Sequence, residues 1–321
     1  MTASGGRSAF GLGLLLVVTT AVVSGVSTFV NTYAVAGTNS DAFVTVRNLA
    51  VAAMLVPLVA ITAYSRKDRS PLRNVDWIRL MTIGLVGGSI PFLLFFHGIE
   101  LATAAGGATT ASFFYRTLFL FATVFAVFFL KERFHWRVVV GAALLLGGCY
   151  LLLSLTSVVW TDGTPYVLAA TILWAGEYTL SKRALADLPS PTVALGRMGF
   201  GALFLVAYLG ITAQWGAVTG FSGAQWAWVG VSAVLLTAFV ATWYAGLARV
   251  DLSVGAAVLV LGYPVTWLLS VGVAGRAVTW DSALGTLAVV LGIGAIVGLV
   301  RFREVGQWIR DGLPRGTRPA T

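Results

Sequence analysis

The stretch FLKERFHWRVVVG, Phe129–Gly141, has a counterpart later in the chain, VAGRAVTWDSALG, Val273–Gly285. In the first, Glu132 is followed by Trp136 after four residues and by Gly141 after nine; in the second, Arg276 is followed by Trp280 after four and Gly285 after nine. Each time an apolar run ends in a charge, and a tryptophan opens the next run. Upstream the match continues: FFHGIE (95–100) pairs with WYAGLA (243–248), and DAFVTVR (41–47) with PTVALGR (191–197). Gly25 precedes Arg47 by 22 residues and Gly176 precedes Arg197 by 21. The chain is built twice from one plan.

What solvent that plan folds in follows from composition. Of 321 residues, 58% are hydrophobic and 10% charged, with mean hydropathy +0.89. A water-soluble domain carries about 25% charged residues, so this surface suits lipid. Apolar runs between charge, Gly, Pro and Asn breaks give ten spans: 10–32, 42–64, 77–98, 104–130, 137–156, 164–184, 192–212, 226–248, 253–274 and 281–300. Each is near the ~20 residues that cross a bilayer as a helix. The loops test that count. With the N-terminus in the cytoplasm, 17 of the 21 Lys and Arg fall inside, one (Arg276) outside, and three (Arg47, Arg116, Arg197) within spans. The positive-inside rule expects this asymmetry. It also accounts for the net charge of +9 without nucleic acid. Trp77, Trp136, Trp160, Trp226, Trp228 and Trp280 lie near span ends, as an aromatic belt does.

Arg7, the run after it and Ala34-Val35-Ala36 mimic a cleaved signal peptide. The run from Phe10 to Val30 is longer than the roughly 7–15 residues of a signal core and has its partner in the second half, so it reads as a retained first helix. The expected organisation is a cytoplasmic N-terminus (1–9), a first five-helix repeat (10–156), a second (164–300) and a basic cytoplasmic tail (301–321). In the tail, Phe302, Val305 and Ile309 suit one face of a short interfacial helix, although a disordered tail fits the composition equally. Five spans is an odd number, so the second repeat enters the membrane upside down. The fold class is an all-α integral membrane protein of ten transmembrane helices in two inverted repeats. Inverted halves that rock about a midplane site are a transporter signature.

These residues resemble the EamA type of the drug/metabolite transporter superfamily, whose ten helices form two EamA repeats. The resemblance rests on the arginine opening the second helix of each half (Arg47, Arg197) and on His97-Gly98-Ile99 and Tyr244-Ala245-Gly246-Leu247 ending the third. It rests further on FLKER after the fourth, on Pro264 and on the Gly-rich last helices, and it covers about residues 12–300. Two departures stand out: Gly275-Arg276 replaces a usual Gly-Glu, and GYP replaces a usual Glu-Pro. No role is assigned to Arg276. The resemblance implies export or exchange of small metabolites, amino acids or drugs across the plasma membrane. It leaves the substrate open.

Polar residues that share a helix face point to where a solute would sit. At ~100° per residue, Thr20, Ser24, Ser27, Thr28 and Asn31 form a stripe on the first helix. Thr109, Ser112, Arg116 and Thr123 form one on the fourth, and Trp174, Glu177, Tyr178 and Ser181 one on the sixth. The 37 glycines read as helix-packing residues. Arg116 lies roughly 18–20 Å from either end of its span, too deep to snorkel, and inserting it costs at least about 2.5–3.5 kcal/mol. Two readings stand for it: a permanent partner (Glu177 or backbone carbonyls), or a fixed cation that binds a substrate carboxylate or phosphate. Glu177, the one carboxylate well inside a span, is a partner for Arg116 or a substrate amine, or the carrier of a coupling proton. Arg47 and Arg197 read as snorkelling or bound to helix-end carbonyls, and Glu132 as a solvated charge or a partner of Arg137.

Candidate substrate-binding residues are thus Asn31, His97, Ser112, Tyr115, Arg116, Trp174, Glu177, Tyr178, Trp243, Tyr244 and Tyr263, with Glu177 also the candidate proton carrier. The expected function is secondary transport of a small polar or zwitterionic metabolite, an amino acid or similar, in the direction of export. The alternative is a lipid scramblase or other non-transporting membrane protein of the same fold. No P-loop, HExxH or GxSxG is present, so neither ATP-driven transport by this chain alone nor an intramembrane enzyme is expected. One cysteine and two histidines leave no expectation of a metal or cofactor. Expected partners are the small-molecule substrate and membrane lipid, not nucleic acid, with the chain a monomer or homodimer. The expected location is the plasma membrane, multi-pass, with both termini cytoplasmic.

Overall fold

The computed structural model describes residues 3–34, 38–65, 72–155 and 157–298; the tail 301–321 and part of Ala34-Val35-Ala36 lie outside them. Among the described residues every regular element is a helix. The ten spans are all there, and this is a multi-pass membrane protein. The first is α1 (Ala3–Ala34), which begins before the expected start of the span at residue 10. The second is α2 (Ser40–Ser65) and the third α3 (Asn74–Gly88) plus α4 (Ile90–Ala104). The fourth is α5 (Ala108–Arg116) plus α6 (Leu118–Leu130), the fifth α7 (Trp136–Leu152) and the sixth α8 (Gly163–Ala184). The seventh is α9 (Ser190–Ile211). After the short α10 (Trp215–Thr219) come the eighth, α11 (Gly223–Leu247), and the ninth, α12 (Leu252–Leu259) plus α13 (Gly262–Gly272). The tenth is α14 (Trp280–Val297). Eight of the ten are long and apolar enough to cross a bilayer by composition alone, and α7 is a shorter apolar helix. The remaining span, α8, carries Glu177, Lys182 and Arg183.

The repeat shows in who packs on whom. The first span packs on the eighth and the sixth on the third; the second packs on the seventh and the fifth on the tenth. Exchanging the halves leaves this pairing unchanged. Glycine contacts repeat it at atomic scale. A Cβ on Gly148 would stand 2.7 Å from the Gly285 carbonyl oxygen, and one on Gly285 would stand 2.8 Å from that of Gly148. Gly141 and Gly292 meet the same way, at 2.7 and 2.8 Å. Gly141 and Gly148, like Gly285 and Gly292, are two turns apart and share a face. Two antiparallel helices therefore touch backbone to backbone, which is how helices associate in lipid. Gly148→Val is expected to remove most of the folded, monodisperse protein on size-exclusion chromatography. Gly147→Ala, one position along and with open space at its Cβ, is expected to elute as native protein does.

Three spans are broken, which the apolar runs did not indicate. The third breaks at Ser89, where φ is −135° and ψ −77°; Gly87-Gly88 precede it, Pro91 follows, and the Ser89 hydroxyl bonds the Leu85 carbonyl at 2.9 Å. The fourth breaks at Thr117, whose hydroxyl takes the Phe114 carbonyl at 2.6 Å, a local competitor to the helical ladder. The ninth breaks over Val260 and Leu261, ahead of Pro264, which has no N–H to continue the ladder. The breaks in the fourth and ninth spans fall at equivalent points of the two repeats.

The two ends of the bundle differ in charge. Arg73, Arg79, Lys131, Arg133, Arg137, Lys182, Arg183 and Arg249 border the loops of one face, and Arg276 those of the other. The basic face is tied together by Arg79–Asp187 at 2.8 Å and by Lys182 Nζ, which donates to the Leu247 and Val250 carbonyls at 2.7 Å.

Candidate functional site

The breaks determine where the deep charges go. A helix that stops inside the bundle leaves carbonyls without partners. At the end of α3, Gly87 O accepts from Trp174 Nε1 and from Arg197 Nη2, each at 3.1 Å. Gly88 O accepts from Asn48 Nδ2 at 3.2 Å. The Asn48 amide oxygen in turn accepts from Arg47 Nε (3.3 Å) and Nη2 (3.2 Å), and the Arg47 guanidinium lies over the Phe92 ring, 5.2 Å from its centroid. Arg47 and Arg197 are 4% and 3% exposed, so neither snorkels. The carbonyl reading holds for Arg197, but the helix end is another helix's, and it is internal. Cations suit that end because the helix dipole is negative there.

Glu177 on α8 is fully buried. Its Oε1 accepts from the Tyr244 hydroxyl at 2.7 Å and from the Ser181 hydroxyl one turn along. Its Oε2 is 3.4 Å from Arg197 Nε, an ion pair without hydrogen-bond alignment. A Cβ on Gly87 would overlap this carboxylate's stem, so the glycine permits the approach. Two hydroxyl donors and one guanidinium surround this acceptor-only group, with Oε2 held by charge alone. The partner of Glu177 is therefore Arg197, not Arg116. Arg197, read from the sequence as snorkelling or bound to helix-end carbonyls, had its repeat equivalence to Arg47 as its signal, and Ser181 its place on the stripe of the sixth helix; Asn48 and Gly87 carried no comparable signal.

Arg116 is the last residue of α5, and its environment is aromatic. Its guanidinium carbon lies 3.8 Å from the Tyr263 ring centroid and 5.8 Å from that of Tyr115. Tyr263 opens α13, so the broken fourth and ninth spans meet through this pair. The Arg116 Nε is buried and has no hydrogen-bond partner. Tyr115 joins a cluster with Phe95 (4.9 Å between centroids) and Trp174 (5.5 Å). Trp174 thus links the two groups: its ring packs against Tyr115 and its N–H holds the α3 end. Ser112, one turn before Arg116 on α5, is half-buried. Away from their ends, the described spans hold three guanidiniums, Arg47, Arg116 and Arg197, and one carboxylate, Glu177, an excess of positive charge.

The remaining candidates scatter. Tyr178 and Trp243 pack against each other with tilted rings, 4.7 Å between centroids, both buried, with the Trp243 Nε1 lacking a partner. Asn31 accepts from the Ser232 hydroxyl at 2.9 Å, and Thr20 donates to the Thr242 hydroxyl at 2.8 Å. At these two points the stripe on the first helix joins it to the eighth instead of lining a shared cavity. His97 stands edge-on to Tyr166 at 5.0 Å. It lines a cavity of about 150 Å³ with Asn39, Ser40, Asp41, Leu93, Glu100 and Tyr208, at the face opposite the basic one. Glu132 is half-buried and paired, not a free surface charge. It bonds the first turn of α12, where Leu252 N and Ser253 Oγ donate at 2.6 Å and Ser253 N at 3.1 Å.

Comparison with known proteins agrees with this architecture. Among solved structures, 27 chains match. One of them, titled only as the crystal structure of a protein, is 18% identical, covers 91% of this chain and 99% of its own, and superposes with a TM-score of 0.70; at that identity it speaks to the fold alone. No curated protein matches the sequence. Residues 11–154 and 162–298 each match the EamA-like transporter family.

Proposed function

Given that the chain belongs to the EamA-like transporter family, we propose that it is a secondary transporter for a small metabolite bearing a carboxylate, an amino acid or similar, moved by alternating access in the direction of export. The observation that carries this reading is Arg116. It sits where the broken spans of the two repeats meet, stacked on Tyr263 with an unpartnered Nε. Stacking uses the face of the guanidinium and leaves its in-plane donors for a ligand, and that fork matches a carboxylate. Discontinuous helices at the repeat interface are where such folds bind solute. Glu177 is occupied by Arg197, Tyr244 and Ser181, so a substrate ammonium would instead meet the faces of Tyr115 and Trp174. The plasma membrane is the proposed location, with the basic face in the cytoplasm.

Counterflow tests this. Proteoliposomes preloaded with an unlabelled amino acid are expected to accumulate the labelled one, and a panel of amino acids and simple carboxylates ranks the substrates. Absence of flux over the whole panel, with rapid flip of a labelled lipid, would overturn the reading in favour of a scramblase. A coupling role for Glu177 has one feature in its support: Oε2 holds Arg197 without a hydrogen bond, so a proton taken up there would loosen the ion pair. Uptake driven by a pH gradient in the native protein and lost in Glu177→Gln is the expected result. An identical response in both excludes Glu177 as the carrier.

A further inference from the structure

The two repeats end their broken spans with the same backbone turn but opposite charges. After α6, Lys131 adopts a left-handed φ of 56°, and the next N–H, of Glu132, reaches back to the Ala126 carbonyl at 3.2 Å. After α13, Gly275 adopts φ 66°, and the next N–H, of Arg276, reaches back to the Ser270 carbonyl at 3.0 Å. In both cases the bond spans six residues. In the first repeat this turn delivers a carboxylate to the start of α12, where it takes three donors from Leu252 and Ser253. A carboxylate suits a helix N-terminus because the dipole is positive there. The equivalent position in the second repeat presents a cation, and Arg276 is exposed. The corresponding helix start, Gly107 before α5, has no side-chain cap.

We propose that Glu132 is a releasable latch that holds the fourth and ninth spans together at the basic face, and that Arg276 leaves the opposite face without one. The inference rests on the transporter reading and assigns to Glu132 a positioning role in its cycle. The two spans that the latch joins are those that carry Arg116 and Tyr263. Opening the site toward the basic face requires them to part there, and so requires the Glu132 contacts to break. At the other face, among the described residues, no side chain caps α5 as Glu132 caps α12, and the cavity beside Leu93 and His97 lies there. A ligand or substitution shifts such an equilibrium only through contacts that differ between the two states. The latch is such a contact, present when the basic face is closed and absent when it is open.

Thiol labelling reads the open face directly. The single native cysteine, Cys149, is fully buried and stays silent. Val250→Cys reports on the basic face, since Val250 is 2% exposed beside the latch. Leu93→Cys reports on the opposite cavity. In proteoliposomes, Glu132→Gln is expected to raise labelling of Cys at 250 by about tenfold and to lower it at 93, the scale of one charge-assisted hydrogen bond lost. Arg276→Glu, which supplies the missing carboxylate at an exposed position, is expected to act in the same direction. If Glu132→Gln lowers only the melting temperature while both labelling rates stay native, Glu132 is a cap and not a latch. Unchanged labelling in Arg276→Glu overturns the asymmetry argument even if Glu132→Gln fails to fold. Counterflow on the same vesicles separates the two readings. Flux without a labelling shift sinks the latch alone; a labelling shift without flux of any solute supports the latch and sinks the transport assignment.

Discussion

Arg116→Ala is expected to raise the KM for the transported carboxylate by about 10- to 100-fold while leaving the yield of folded protein unchanged. The magnitude is that of one hydrogen-bonded charge contact, ~1.5–3 kcal/mol, converted at about 1.4 kcal/mol per tenfold. The separation of affinity from folding is the informative part. An arginine that held the bundle together through an ion pair would leave a buried carboxylate behind when removed, and the fold would suffer. Among the described residues Arg116 pairs with no carboxylate: its guanidinium lies 3.8 Å from the Tyr263 centroid and 5.8 Å from that of Tyr115, and its buried Nε is unpaired. Arg116→Lys keeps the charge and loses the planar fork, so its KM is expected between native and Ala. Concentration-dependent uptake in proteoliposomes, with monodispersity measured on the same preparations, checks both. Native KM in both variants would place the carboxylate elsewhere; loss of monodispersity in both would make Arg116 structural.

How much of this could be read from the sequence depends on the kind of signal. The ten spans and their inversion were legible because lipid imposes one rule on every helix, and because Glu132/Arg276, Trp136/Trp280 and Gly141/Gly285 recur at the same spacing. The fifth and tenth helices then pack as that repeat requires, Gly148 on Gly285 and Gly141 on Gly292. Arg116 was legible as a costly charge in mid-span. That Glu177 pairs with Arg197 instead of with it was not. Periodicity gives the direction in which a side chain leaves its helix, but not which neighbour stands there. That depended on the break at Ser89, which frees the Gly87 and Gly88 carbonyls and draws Arg197, Trp174 and Asn48 to one place. Such a break has little sequence signature, since Gly-Gly-Ser also suits a continuous helix in lipid. Glu132 was misread for a related reason. Flanked by Lys131 and Arg133, it looks solvated, and only the left-handed turn at Lys131 swings it onto α12.

The second large effect expected is at the Glu177–Arg197 pair, and it is of the opposite kind. Arg197→Met should abolish most folded protein, because it leaves a fully buried carboxylate with only two hydroxyl donors. Removing one member of a buried pair costs about 3–5 kcal/mol, a large part of the ~5–15 kcal/mol that holds a typical domain folded. Glu177→Gln should be milder, since the Gly87 carbonyl still accepts from Arg197 Nη2. The double variant Glu177→Gln/Arg197→Met carries no buried charge at this point and should recover most of the yield, as replacing both partners of a buried pair with neutral groups is near neutral. Melting midpoints and the monodisperse fraction in detergent measure all three. Native-like behaviour of Arg197→Met alone would show that the ion pair does not hold the bundle. The double variant also separates the two roles open to Glu177. With Arg116 untouched it should still transport, and if Glu177 carries the coupling proton that transport should no longer respond to a pH gradient. A double variant that folds, transports and still responds would leave Glu177 a purely structural acid, holding the arginine that closes the broken end of the third helix.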